Sequence, residues 1–188
     1  SRDPKEWLKL MIGFTDEWLS VSDYMFVNLQ MLAGNKVATI DWLHQYKEMF
    51  CDVAIWNKTH SAPELAQNVM DCQFEFVFIL TSRKNKSRAI SIAPGWRGGQ
   101  PNVFDLSPNS PKDDYAVYHG AVYPIAFVGH YINNFTKENV VVADPFGGSG
   151  STLIACEQLN RKCYMMEIAP IYIDVIIERL RLMKISRK

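Results

Sequence analysis

The sequence lacks long hydrophobic runs and closely paired cysteines. No uninterrupted apolar run approaches the roughly 18 residues that a membrane-spanning helix needs, and the N-terminus has no basic segment followed by an apolar stretch. Its four cysteines, Cys51, Cys72, Cys156 and Cys163, form no C-x-x-C pair, so we expect reduced, partly buried thiols and no zinc site. These absences favour a cytoplasmic protein without a membrane span, a signal peptide or a bound metal.

The chain also lacks net charge, since 20 basic residues balance 20 acidic ones. This balance is unusual for a protein that binds nucleic acid by itself, because phosphate contacts supply much of the affinity. The basic residues are nonetheless clustered. One group falls within six positions, namely Arg83, Lys84, Lys86 and Arg88, and Arg97 follows beside Trp96 in a glycine-rich stretch. A second group ends the chain. A solvated face is the alternative for both, and we favour it for the second.

The hydrophobic pattern predicts one α/β domain over residues 1–188, of which 48% are hydrophobic. Helical spacing runs from Trp7 to Trp18, and strands are expected at 24–31, 52–57 and 74–80. Between the first two, Gly34-Asn35 precedes a helix that we expect to bury Val37, Ile40, Leu43 and Phe50. Trp56 alternates within its strand and is expected in the core rather than on a nucleic acid.

The last third of the chain alternates strands and helices. A helix from Pro124 to Phe135 precedes a strand at 140–143, a helix at about 150–159, a strand at 163–168 and a helix from Pro170. This alternation predicts a mainly parallel sheet, in which Phe74–Leu80 forms one antiparallel strand. The periodicity fails over 81–118, which we expect to be an irregular insertion, either functional or mobile.

A glycine-rich turn lies where the strand at 140–143 gives way to a helix. Gly147, Gly148 and Gly150 would let a ligand approach the backbone, and the helix start offers N–H groups. Glu167, near the end of the next strand, could accept hydrogen bonds from both hydroxyls of a ribose. The segment does not match the dinucleotide-binding motif, because that motif has glycine where this chain has Leu153. It does not match a P-loop either, because no lysine follows Gly150. A nucleoside cofactor is therefore predicted, with tight strand-to-helix packing as the alternative.

The segment Asp144–Ser151, D-P-F-G-G-S-G-S, resembles the D-P-F-x-G-S-G-T motif of the DNA N6-adenine and N4-cytosine methyltransferases. The resemblance implies that S-adenosylmethionine is the cofactor. In this family the turn embraces the methionine portion and the acid after the second strand holds the ribose. The cofactor-binding residues so implied are Asp144, Phe146, Gly147, Gly148, Gly150, Glu167 and, from the segment described next, His119.

Further segments extend the resemblance over nearly the whole chain. His119–Pro124 is similar to the family's H-P-x-x-[FY]-P segment, although Gly120 replaces the proline. Val53–Lys58 resembles its "IVWNK" strand, Phe74-Glu75-Phe76 its H/F-E-x strand, and residues 172–179 its closing helix. The order of these segments is that of the permuted β-type enzymes.

Family members also carry [DNS]-P-P-[YFW], whose residues bind the target amino group and stack on the flipped base. These 188 residues contain no such tetrapeptide. The resemblance therefore implies that the catalytic residues lie upstream of Ser1, that the chain is partial at its N-terminus, and that it does not methylate DNA as given. An inactive module that binds the cofactor or docks on DNA is the alternative, and methylation of RNA or a small molecule is disfavoured.

The expected fold is thus the Rossmann-like α/β fold of S-adenosylmethionine-dependent methyltransferases. The expected reaction is methyl transfer to an exocyclic amino group in DNA, at adenine N6 rather than cytosine N4, in a restriction-modification setting. Residues 81–118 would form a short target-recognition loop. The predicted DNA-binding residues are Arg83, Lys84, Lys86, Arg88, Trp96 and Arg97.

Overall fold

The computed structural model describes residues 3–59, 68–83, 99–108, 122 and 124–186. These fall into two compact units, one formed by residues up to 83 together with 99–107, the other by residues from 122 onward. The first unit contains α1 (Pro4–Val21), β1 (Tyr24–Leu29), α2 (Lys36–Gln45), β2 (Phe50–Asn57), β3 (Phe74–Thr81) and β4 (Val103–Asp105). The second contains α3 (Ile125–Phe135), β5 (Val141–Asp144), α4 (Ser151–Gln158), β6 (Lys162–Met165) and α5 (Pro170–Ser186). No helix within these ranges is long and apolar enough to span a bilayer.

The sheet of the first unit has the strand order β1-β3-β2-β4. β3 runs antiparallel to both of its neighbours, and β4 runs parallel to β2, so β1, β2 and β4 share one direction. The prediction of an antiparallel strand at Phe74–Leu80 is confirmed, and the sheet that contains it is mixed. β4 was missed, because a strand of three residues is too short to show any periodicity. It forms through pairing with Ile55–Asn57.

The core of the first unit lies between the sheet and the two helices α1 and α2. Asp3 caps α1 by accepting a hydrogen bond from the Lys5 backbone N–H at 2.8 Å, and Pro4 occupies the first turn. The indole of Trp42 meets the ring of Phe78 edge-on, with ring centroids 6.0 Å apart. The buried members of this cluster are Met11, Leu19, Val27, Trp42, Tyr46, Phe78 and Leu80.

The buried face of α2 differs from the predicted one. The helix buries Ala38, Thr39 and Trp42, whereas Val37 and Ile40 are exposed and Phe50 lies in β2. Trp42 is fully buried, and its indole N–H donates to the Thr15 hydroxyl at 2.8 Å. The helix is therefore rotated so that Trp42, its largest side chain, is buried with its indole N–H paired, and Val37 and Ile40 face outward.

In the second unit β5 and β6 pair in parallel, with Asp144 opposite Met165. Helices α3 and α4 supply the core residues Ile132, Ala155 and Cys156, which Cys163 of β6 contacts. None of the four cysteines, all of which lie within the described residues, forms a disulfide. β6 ends at Met165, so Glu167 lies two residues beyond the strand. On α5, Ile176 and Arg179 are both buried.

We predict that Thr15→Val lowers the free energy of unfolding by about 1–3 kcal/mol, because the buried Trp42 N–H loses its acceptor without any change in side-chain size. Ser20→Ala is the matched control, since it removes an exposed hydroxyl from the same helix and should change stability by less than about 0.5 kcal/mol. Urea titrations of both variants provide the measurement. Equal, small effects would mean that the Trp42–Thr15 hydrogen bond contributes nothing.

Candidate functional site

The glycine turn, residues 145–150, joins β5 to α4. Gly148 and Gly150 have φ values of 50° and 83°, in the left-handed region that side chains with a Cβ disfavour. The Gly150 N–H donates to the Gly147 carbonyl at 2.8 Å, and Gly150 is the residue that precedes the first turn of α4. A Cβ at Gly150 would lie 2.9 Å from Cγ1 of Ile176 on α5. Glycine is therefore required here both by backbone conformation and by space.

Gly147 brings the turn against the segment that follows β6. Its N–H donates to the Met166 carbonyl at 2.8 Å. A Cβ at this position would lie 2.6 Å from the Met165 side chain and 3.0 Å from the Met166 carbonyl oxygen. The missing side chain thus allows two backbone segments, each at the carboxyl end of a strand, to approach each other closely.

Asp144 holds the two ends of the glycine turn. One carboxylate oxygen accepts a hydrogen bond from the Phe146 N–H at 2.9 Å, and the other accepts one from the Thr152 hydroxyl at 2.6 Å. Thr152 lies in the first turn of α4. The carboxylate therefore connects the end of β5 to the start of α4 and restrains the turn between them.

Glu167 links the glycine turn to the segment after β6. Its Oε2 accepts a hydrogen bond from the Gly148 N–H at 2.7 Å, and its Oε1 accepts one from the Ala169 N–H at 2.8 Å. A carboxylate oxygen has two lone pairs, so each can accept a further hydrogen bond. An ionised acceptor with fixed orientation is suited to bind the two neighbouring hydroxyls of a ribose.

Large apolar side chains near this carboxylate are exposed. Phe146 in the glycine turn has 59% of its surface exposed, and Met166 and Ile168, on either side of Glu167, have 54% and 98%. Exposed apolar groups concentrated around a fixed carboxylate are typical of a ligand-binding surface. The arrangement combines a polar anchor with an apolar surface.

The structure brings six of the seven predicted cofactor-binding residues together around the glycine turn: Asp144, Phe146, Gly147, Gly148, Gly150 and Glu167. His119 lies outside the described residues. So do five of the predicted DNA-binding residues: Lys84, Lys86, Arg88, Trp96 and Arg97.

Arg83 is the one predicted DNA-binding residue within the described ranges. Its guanidinium donates to Oδ2 of Asp23 at 2.7 Å and lies 4.9 Å from the centroid of the Tyr24 ring. The hydrogen bond with Asp23 raises the pKa of Arg83, and the same bond lowers the pKa of Asp23. Both side chains are partly exposed, so the pair lies at the surface of the first unit.

Arg179 on α5 belongs to this site, and its predicted place on a solvated face, with the other basic residues that end the chain, is wrong because only 7% of its surface is exposed. Its guanidinium donates to the Ser149 carbonyl at 2.6 Å and to the Ser149 hydroxyl at 3.0 Å. The sequence did contain a signal, because Arg179 lies three residues after Ile176 and therefore on the inward face of the helix. A charged residue in an inward-facing stripe indicates a polar partner in the interior.

Solved structures with a similar fold include a DNA methyltransferase and a complex with S-adenosylmethionine. The PvuII DNA methyltransferase, described as cytosine-N4-specific, aligns with 93% of this chain and 70% of its own, with a TM-score of 0.76 and 15% identity. M1.HpyAVI, solved as a complex with S-adenosylmethionine, aligns with 94% of this chain and 84% of its own, with a TM-score of 0.69 and 21% identity. The fold of this chain is therefore the Rossmann-like α/β fold of these proteins, as predicted.

The chain belongs to the N6/N4 DNA methyltransferase family, whose model, described as DNA methylase, matches residues 1–178. The type II methyltransferase M.Cfr9I of Citrobacter freundii is 28% identical over 133 residues, which are 68% of this chain and 43% of that protein. M.SmaI of Serratia marcescens is 26% identical over 133 residues, 67% of this chain and 44% of that protein. The chain spans less than half the length of these relatives. S-adenosylmethionine is the cofactor of the family.

We predict that Gly150→Ala destabilises the second unit by at least about 1–2 kcal/mol, because alanine is strained at this positive φ and its Cβ would collide with Ile176. Gly129→Ala is the matched control in the same unit. Gly129 lies within α3, where a Cβ would meet only Leu159 at 3.9 Å, so alanine should stabilise the helix by about 0.5–1 kcal/mol. Unfolding followed by circular dichroism gives both values. Effects of the same sign would contradict the backbone argument.

Proposed function

We propose that this chain binds S-adenosylmethionine at the glycine turn and Glu167, and serves a DNA methyltransferase that modifies an exocyclic amino group of adenine or cytosine. The observation that carries the proposal is the Glu167 carboxylate, which lies 2.7 Å from the Gly148 N–H and so adjoins the glycine turn. An acid immediately beside such a turn can bind the ribose of a ligand whose other parts contact the turn.

The residues present suit each part of the cofactor. The two Glu167 oxygens would accept the ribose hydroxyls, while the start of α4 would favour the carboxylate of the methionine portion, because helix N-termini attract negative charge. Ile168 offers apolar surface to the adenine ring, and Phe146 offers apolar surface to the methionine portion. When bound, the cofactor supplies an electrophilic methyl group on a sulfonium. The chain's own residues bind and orient it.

Activation of the base is assigned to residues other than those of this site. The exocyclic nitrogen's lone pair is delocalised into the ring, so hydrogen-bond acceptors near its protons are needed to raise its nucleophilicity. Asp144 and Glu167 already accept hydrogen bonds from the glycine turn and its flanks. We therefore propose that this site binds the methyl donor. The target base is bound by a [DNS]-P-P-[YFW] tetrapeptide, which these residues do not contain.

The two candidate targets, adenine N6 and cytosine N4, are exocyclic amino groups of the same chemical class. We favour adenine N6, whereas the PvuII enzyme is described as cytosine-N4-specific. Two of the relatives are described as type II methyltransferases, which supports a restriction-modification setting.

The proposed DNA-facing surface comprises Arg83–Arg88 and the stretch to about residue 111. In support, Arg83 lies at the surface beside Asp23, where its remaining guanidinium donors could reach a phosphate. A cluster of basic side chains supplies the charge that a neutral chain otherwise lacks for binding a polyanion.

We predict that Glu167→Ala weakens binding of S-adenosylhomocysteine, the demethylated cofactor, by about 1–3 kcal/mol through loss of charge-assisted hydrogen bonds. Glu157→Ala is the control, because Glu157 lies on α4 and makes only a partly exposed ion pair with Lys184 at 3.8 Å. Calorimetry on both variants gives the dissociation constants. If Glu167→Ala and Glu157→Ala bind equally well, the assignment of the ribose to Glu167 is wrong.

We also predict that replacing Lys84 and Lys86 with glutamine flattens the salt dependence of DNA binding. Each lost phosphate contact should reduce the slope of log K against log salt by roughly 0.9. The control replaces Lys5 and Lys9, exposed residues of α1, which removes the same charge elsewhere. Titrations at several salt concentrations with fluorescent duplex DNA measure the slopes. Equal slopes in the two double variants would mean that the cluster is only a solvated face.

A further inference from the structure

The glycine turn is held from α5 by a buried arginine. Only 7% of Arg179 and 5% of Ser149 are exposed. The guanidinium donates to both oxygens of Ser149, to the carbonyl at 2.6 Å and to the hydroxyl at 3.0 Å. Removing a guanidinium from water is costly unless hydrogen bonds replace the lost hydration. The hydrogen bonds to Ser149 therefore replace the hydration that Arg179 loses on burial.

The contact between Arg179 and Ser149 fixes the orientation of the last peptide unit of the turn. The Ser149 carbonyl and the Gly150 N–H belong to the same planar peptide unit, so restraining the carbonyl also orients the N–H. That N–H donates to the Gly147 carbonyl at 2.8 Å. Ile176, one helical turn before Arg179, would lie 2.9 Å from a Cβ at Gly150 and so closes off the space beside it.

A second peptide plane of the turn, the one between Gly147 and Gly148, is fixed independently by Glu167 through the Gly148 N–H. Two peptide units of the turn, separated by one other, are thus held by different side chains, one after β6 and one on α5. Glycine loses more conformational freedom on ordering than any other residue, and a turn with two left-handed glycines would otherwise sample many conformations. Any ligand that needs a single conformation would have to order the turn when it binds.

We propose that Arg179 is a positioning residue for the cofactor, which holds the glycine turn in its binding conformation through both oxygens of Ser149. This inference rests on the proposed function, since it assumes that the turn binds S-adenosylmethionine. Arginine suits the role better than lysine because its planar group offers several donors in a fixed geometry, whereas an ammonium is a single point charge on a flexible stem.

Calorimetry with S-adenosylhomocysteine tests the proposal on the wild-type chain and three variants. Arg179→Met keeps the apolar stem and removes the donors, and should raise Kd roughly tenfold. Arg179→Lys restores the charge, and should raise Kd roughly threefold because a flexible stem holds the ammonium less firmly at Ser149 than the planar guanidinium holds the single nitrogen, Nη1, that makes both contacts. Arg161→Met is the matched control. Arg161 donates to the side chain and carbonyl of Thr136, at 3.0 and 2.7 Å, near the other end of α4, and its loss should leave Kd unchanged even where stability falls.

A second readout follows hydrogen exchange at the Gly148 and Gly150 amides without ligand. Exchange should accelerate in Arg179→Met and stay at the wild-type rate in Arg161→Met, relative to the global stability of each variant. A Kd within twofold of wild type in Arg179→Met would overturn the proposal, and so would an equal loss of affinity in Arg161→Met. If Arg179→Met does not fold, Arg179→Lys decides, and an unchanged Kd in that variant rejects the proposal.

The failure of this inference is separable from the failure of the proposed function. If the wild-type chain does not bind the ligand, or binds it independently of Glu167, the proposed cofactor site itself is wrong. If binding depends on Glu167 and not on Arg179, only the positioning role is rejected.

Discussion

The second unit depends on one carboxylate that joins two chain segments. Glu167 accepts hydrogen bonds from the Gly148 N–H on one side and from the Ala169 N–H on the other. Without this acceptor, a glycine turn with two left-handed residues would lack its connection to the segment after β6. The same carboxylate retains acceptor positions for a ligand. The group that organises the turn is therefore also the group that we propose binds the ribose.

The parallel pairing of β5 and β6 makes this link possible. The carboxyl ends of parallel strands lie at the same edge of a sheet, and the register places Asp144 opposite Met165. The glycine turn and the Glu167 segment leave the sheet side by side, and Gly147 lets them approach to hydrogen-bonding distance, with its N–H 2.8 Å from the Met166 carbonyl. The remaining contacts of the turn, from Asp144 and from Arg179, restrain other peptide units of the same turn.

The features of the fold and of the site that could be predicted from the sequence are those encoded in local patterns. The turn at Asp144–Ser151, the acid at Glu167 and the reversed strand Phe74–Leu80 each follow from a motif or an apolar run, and resemblance added the cofactor. Three features depend on tertiary contacts and escaped prediction. β4 exists only through pairing with β2, the rotation of α2 is set by Trp42 against Thr15, and Arg179 acquires its role from a serine thirty residues earlier. Local propensity is weak where tertiary contacts decide.

The central claim, that the glycine turn and the Glu167 segment bind the cofactor, is tested most directly by titrating ¹⁵N-labelled chain with S-adenosylhomocysteine and following the amide signals. The account predicts that the largest shifts fall on Phe146–Gly150 and on the amides of residues 166–169, and that they follow a single saturable binding curve. Saturable binding that leaves these amides unmoved, with shifts confined to other segments, would contradict it.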